Sequence, residues 1–134
     1  MQFPHILLVA ALCGPVAAPV LAGAQTLDIT VTNTGSETLL CRAAIAHWFS
    51  AELGEAAPGD SLSFSFGVVT ETGAVFQLNE KGDQMAVQRI WCGRKGADWP
   101  TRAEIPMERR AGIVPAPVVL NCAVTGDKTE CTAP

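Results

Sequence analysis

Val118 to Ala133 reads VVLNCAVTGDKTECTA. Two β-prone runs flank Gly126-Asp127, which suits a two-residue hairpin turn because glycine reaches positive φ at little cost. Centring the turn there sets Thr125 opposite Lys128, Val124 opposite Thr129, Ala123 opposite Glu130 and Cys122 opposite Cys131. Counted outward from the turn, the cysteines fall on a non-hydrogen-bonded pair. Cα atoms in such pairs are about 4.5 Å apart, near the short end of the span a disulfide accepts. The hairpin therefore predicts a Cys122–Cys131 bond.

That bond fixes the remaining cysteine arithmetic. Cys13 lies in an apolar N-terminal run, which leaves Cys41 and Cys92 to pair by elimination. A bond between them closes a loop of about 50 residues and is worth roughly 4 kcal/mol in the chain-entropy model. The Cys122–Cys131 loop is short, so its bond mainly locks a terminal hairpin against fraying. No C-x-x-C occurs, so the four thiols read as structural cystines rather than a redox or zinc set.

Paired cystines belong to an oxidising compartment, and the N-terminus agrees. Ile6 to Ala24 carries no charge, is rich in Leu, Val and Ala, and ends in Ala22-Gly23-Ala24. An apolar run closed by small-x-small residues predicts a cleaved secretory signal over residues 1–24, and a single domain over 25–134 in the periplasm or outside the cell. Met1 to His5 lacks the usual Lys or Arg. An uncleaved anchor is disfavoured by Pro15 and Pro19, and a lipidated Cys13 by Leu12 before it. No stable membrane span is expected after cleavage.

Working inward from the terminal hairpin, LDITVT (27–32) alternates apolar and polar residues, with Leu27, Ile29 and Val31 expected inward. Asn33-Thr34-Gly35-Ser36 reads as a turn. Glu37 to Ser50 fits either a strand with Leu39, Cys41, Ala43 and Ile45 on one face or a helix. A hairpin partner for the first strand is preferred, passing into a helical turn near Trp48. Ser61 to Phe66, Ala74 to Leu78, Gln84 to Cys92 and a short Thr101 to Ile105 read as further strands. Pro115 and Pro117 mark 111–117 as a linker. Seven or eight short strands without a long helix predict an all-β fold, a small antiparallel sandwich or barrel. Trp91 is expected in the core against a cystine.

All 13 acidic and 9 basic residues lie after the signal, giving a net charge of −4, which argues against nucleic acid as a partner. The bases crowd late: Arg89, Arg94, Lys95, Arg102, Arg109 and Arg110. His47 is the sole histidine after the signal. LDITVTNTG resembles a cupredoxin opening, but a blue-copper site needs two His and a free Cys, which this chain does not supply. No G-x-S-x-G elbow and no singled-out carboxylate pair is present, so no catalytic residue, metal or cofactor is assigned.

The tryptophans carry the stronger hint. Trp99 sits in a loop near Arg94, Lys95 and Arg102, and Trp48 sits in Ala46-His47-Trp48-Phe49. Aromatic and arginine side chains dominate interface energetics. The candidate binding residues are Trp99, Arg94, Lys95, Arg102, His47 and Trp48. The expected function is a non-catalytic exported module that recognises a protein or envelope component. The alternatives are a secreted hydrolase inhibitor and a minor metal-handling or enzymatic role at His47. Oligomeric state is not legible.

Overall fold

The computed structural model describes residues 24–134. The export signal expected over 1–24, Cys13 included, lies outside them except for Ala24, where the first strand begins. Nine strands follow in chain order: β1 (Ala24–Asn33), β2 (Leu39–Ile45), β3 (Phe49–Ala56), β4 (Ser61–Val69), β5 (Ala74–Leu78), β6 (Gln84–Arg94), β7 (Ala103–Glu104), β8 (Val118–Thr125) and β9 (Lys128–Thr132). The all-β class is as expected, with one strand more than the upper count.

Hydrogen bonding runs in the order β3-β2-β6-β5-β4-β1-β8-β9, with β7 added to β6. The corner is β6. Its start pairs with β5 through Ala86, Met85 and Gln84, and the rest pairs with β2 from Val87 to Arg94. One long strand thus serves two layers, and the core lies between them. Leu27, Ile29 and Val31 point into that core, as their alternation predicts, against Leu39, Ala43, Ile45, Val87 and Ile90.

Both cystines form as expected. Cys122 faces Cys131 in the register read from the Gly126-Asp127 turn, with Cα atoms 4.1 Å apart. Cys41–Cys92 joins directly opposed residues of β2 and β6. The Asn33 turn also holds: the buried Asn33 amide donates to the Glu37 and Ala56 carbonyls, and its oxygen accepts from Gly35 N–H. One side chain thereby fastens the end of β1 to the end of β3.

Four expectations change. β2 is not the hairpin partner of β1: it pairs with β3 and β6, while β1 lies between β4 and β8. The sheet is mixed rather than wholly antiparallel, because β8 runs parallel to β1, from Ile29 opposite Val118 to Asn33 opposite Cys122. The connection between these parallel neighbours is the whole of β2 to β7, far more chain than a parallel crossover needs. The helical turn expected near Trp48 is a tight hairpin turn that launches β3, a strand missing from the sequence reading. Trp91 is buried but does not pack on the cystine. Successive strand residues face opposite sides, so Cys92 points into the core while Trp91 pairs with Arg42 on the outer face.

The free edges are protected. At one end of the path, β3 carries Glu52 and Glu55 and a bulge at Leu53, where Arg42 faces Glu52 but Cys41 faces Gly54. Charges and bulges of this kind deter edge-to-edge pairing. At the other end, Thr129 N–H of β9 donates to the Thr101 carbonyl at 2.8 Å, tying the terminal hairpin to the loop before β7.

Candidate functional site

The outer face of β3, β2, β6 and β7 is built in rows that the registers dictate. One row sets Glu52, Arg42, Trp91 and Glu104 side by side. The next sets Ser50, Ala44 and Arg89 side by side. The second row is small in its middle, so a groove of about 440 Å³ opens there, lined by Ala44, Ser50, Gln88, Arg89, Trp91 and Trp99.

Trp99 reaches the face from the loop after β6, and that loop is locked. The Thr101 hydroxyl donates to the Ala97 carbonyl and accepts from Arg94 N–H, at 2.7 and 2.8 Å. Gly93 permits the return of the chain: a Cβ there would stand 2.1 Å from the Asp98 carbonyl oxygen. Trp99 then meets Trp91 edge to face, with ring centres 5.1 Å apart. The Trp91 indole N–H donates to the Asp98 carboxylate at 2.9 Å, and Arg42 Nε lies 3.4 Å from the same oxygen. The buried indole is therefore satisfied, as buried tryptophans generally are.

Arg102 stacks on Trp99, its guanidinium carbon 3.8 Å from the ring centre, and donates to the Trp99 carbonyl. Arg89 stands 5.7 Å from the same ring. Glu104 binds both arginines, at 3.3 Å for Arg89 and 3.2 Å for Arg102. Arg42, Arg89 and Arg102 are thus matched by Glu52, Asp98 and Glu104. The face is close to neutral on a chain of net charge −4.

The groove ends at the β2–β3 turn. Ala46 and His47 both adopt left-handed backbone, with φ of 49° and 65°. Each such residue costs about 1–2 kcal/mol without glycine, so something must hold them. Ala46 N–H donates to the Ala86 carbonyl, Trp48 N–H to the Ile45 carbonyl, and His47 N–H to the Gln88 side chain. Gln88 is the extra residue of a bulge in β6, where Ala44 faces Arg89 but Ile45 faces Val87. The bulge turns the Gln88 side chain to the turn, as bulges commonly do. Its amide nitrogen lies 2.6 Å from His47 Nδ1, and Arg109 donates to its backbone carbonyl. At the tip of this braced turn Trp48 is 86% exposed, and Phe49 beside it is half-exposed.

Trp99, Arg102, His47 and Trp48 therefore gather at one face. Arg94 and Lys95 do not join them. They lie at the opposite end of β2, where Arg94 faces Leu39 and Lys95 pairs with Glu55 at 3.1 Å. Most of the late basic crowd is answered locally by acids or carbonyls. Sequence alone does not mark Ala44, Ser50 or Gln88, and it marks Arg89 only as one of the late bases. Period-two spacing groups Arg89 with Trp91, but the bulge that recruits Gln88 leaves no sequence mark.

Among the described residues, no three or more His, Cys, Asp or Glu side chains gather as a metal site. No helix among them is long and apolar enough to cross a membrane. No family model and no curated protein matches the chain.

Proposed function

We propose that this chain is an exported, non-catalytic interaction module that recognises a protein partner through the face carrying Trp48, Trp99 and the groove between them. The observation that carries the reading is Trp48, 86% exposed on a turn braced in left-handed conformation. An indole displayed at a preorganised tip resembles the aromatic anchors that dominate protein interfaces. Rims of paired arginines and carboxylates beside Trp99 supply polar contacts around such an anchor. The two cystines fit an oxidising compartment, in keeping with the export segment read from the sequence.

Crosslinking in the native envelope, with a photoreactive residue in place of Phe49, followed by mass spectrometry, tests this reading. Trp48→Ala should weaken capture of the partner about 30-fold, the loss expected for an anchor worth roughly 2 kcal/mol. Undiminished capture by Trp48→Ala would remove the face from the reading.

A second reading, inhibition of a hydrolase, is favoured by the same braced and protruding tip, which has the shape of a wedge for a cleft. Inhibition of a lysozyme or protease that Trp48→Ala abolishes would select it. The role centred on His47 has less support, since Gln88 engages the imidazole. His47→Ala without any change in phenotype would end it.

A further inference from the structure

We infer that the segment joining β7 to β8, residues 105–117, is a processing site. An exported endopeptidase selective for basic residues hydrolyses the Arg110–Ala111 bond, and the cut detaches the β8–β9 hairpin. Neither the site nor its consequence rests on the proposed binding face.

Residues 105–117 form the longest connection between strands in the described chain. Within them, Glu108 to Val114 is the longest run of exposed residues among those described. From Met107 to Ala111 no main-chain N–H donates a hydrogen bond, and from Pro106 to Arg109 no main-chain carbonyl accepts one, among the described residues. An endopeptidase takes its substrate as an extended strand, and such open main-chain groups supply the grip. Exposed loops of this kind are where nicking concentrates. The Arg110 side chain is 71% exposed and pairs only with Glu108, at 3.3 Å, a surface contact that holds weakly. To enter a cleft the segment gives up its packing against Gly73 and two main-chain bonds, Gly112 N–H to the Thr70 carbonyl and Ile113 N–H to the Arg110 carbonyl.

The other bases are guarded. Arg42, Arg89, Arg94 and Lys128 lie inside strands. Lys81 sits in a tight turn that the Asn79 side chain ties together. Lys95 and Arg102 bound the loop that Thr101 locks. Arg109 holds its guanidinium on the Gln88 carbonyl, which leaves Arg110 as the free basic side chain of the segment.

The cystines decide what the cut does. Cys41–Cys92 lies wholly before it and Cys122–Cys131 wholly after it. A break at Lys81 or Lys128 would leave the pieces stapled, whereas a break after Arg110 leaves no covalent link. Water adds across the amide, giving a carboxylate on Arg110 and an amine on Ala111. The hairpin is then held by contacts alone: the β1–β8 ladder, Thr34 N–H on the Cys122 carbonyl and Thr129 N–H on the Thr101 carbonyl. A tether keeps such a piece at an effective concentration on the order of 1 mM, so at about 1 µM its loss weakens the hold roughly a thousandfold. Release leaves the main-chain groups of Ile29 to Asn33 without their β8 partners, a free edge of the kind that takes up another strand.

Limiting trypsin on the native disulfide-bonded chain, read by mass spectrometry without reductant, tests the site. The first products should end at Arg110 and begin at Ala111, and size exclusion at about 1 µM should separate them. Arg109→Gln combined with Arg110→Gln should slow the first cut at least about tenfold, with near-ultraviolet circular dichroism confirming the fold. Arg110→Lys should still be cut at the same bond. Protein recovered from the native envelope should include chains that end at Arg110. First cutting at Lys81, Lys95 or Lys128 would overturn the site, and exclusively intact chains in the envelope would overturn the processing. A cut hairpin that stays with the body at about 1 µM would overturn the detachment.

Discussion

The hairpins β2–β3 and β8–β9 make the same reversal by opposite chemistry. The terminal hairpin turns through Gly126 at φ 63°, where the absent Cβ makes the conformation inexpensive. The other turns through Ala46 and His47 at nearly the same φ, with a Cβ on each. The first is written locally and needs no help. The second has its own bond to the Ile45 carbonyl and is held besides by bonds to the Ala86 carbonyl and the Gln88 side chain, which the surrounding fold sets. Backbone strain that the surroundings sustain is characteristic of functional segments, and here it displays Trp48.

The largest effect that separates the two hairpins concerns their fastenings. Cys41–Cys92 ties β2 to β6 across 51 residues, whereas Cys122–Cys131 spans 9 within one hairpin. Replacing Cys41 and Cys92 together by Ala should cost about 4 kcal/mol, and replacing Cys122 and Cys131 about 2.7 kcal/mol. Urea melts of the two double variants check this. The contrast breaks if the terminal pair proves the costlier.

Next comes the loop that walls the groove. Gly93→Ala places a Cβ against backbone atoms of Asp98 and should cost about 2–3 kcal/mol. It should also red-shift tryptophan emission as Trp99 lifts from Trp91. Normal stability with unchanged emission would show that the loop holds Trp99 less firmly than its bonds imply.

The smallest effects are the most direct, because they should differ in sign. Gly126→Ala should destabilise the chain by about 1 kcal/mol, and Ala46→Gly should stabilise it by about 0.5 kcal/mol. In the second case, relief of a left-handed alanine outweighs the greater entropy of glycine in the unfolded chain. Thermal melts of the two variants should move in opposite directions. If both lose stability, the Ala46 conformation is not strained and the contrast between the hairpins fails.

Legibility followed the locality of the cause. Leu27, Ile29 and Val31 alternate, so their inward face could be read directly. The register of Cys122 and Cys131 could be counted from one glycine. Phe49 to Ala56 does not read as a strand from sequence because no Gly, Asn or Pro announces the turn before it. Trp91 is buried, as its sequence context predicts, but strand alternation turns it away from Cys92 to the other face, where Trp99 and Asp98 cover it. Sequence proximity groups Arg94 and Lys95 with Trp99, but β6 carries them to the far end of β2.

Sequence alone specifies the all-β class, the core face of β1, the terminal hairpin with its register, and both cystines. Each of these rests on period-two alternation or on turn chemistry within a few residues, except Cys41–Cys92, which follows by elimination once the terminal pair is placed. Only the tertiary structure decided the parallel contact of β8 with β1, the β2–β3 turn, and the groove that joins Ala44, Ser50, Gln88, Arg89, Trp91 and Trp99. Those features depend on how strands distant in sequence align. A single extra residue at Gln88 changes the β2–β6 register and braces the turn that exposes Trp48. No local pattern encodes that alignment, because the free energy that fixes it comes from burying a core shared by both layers.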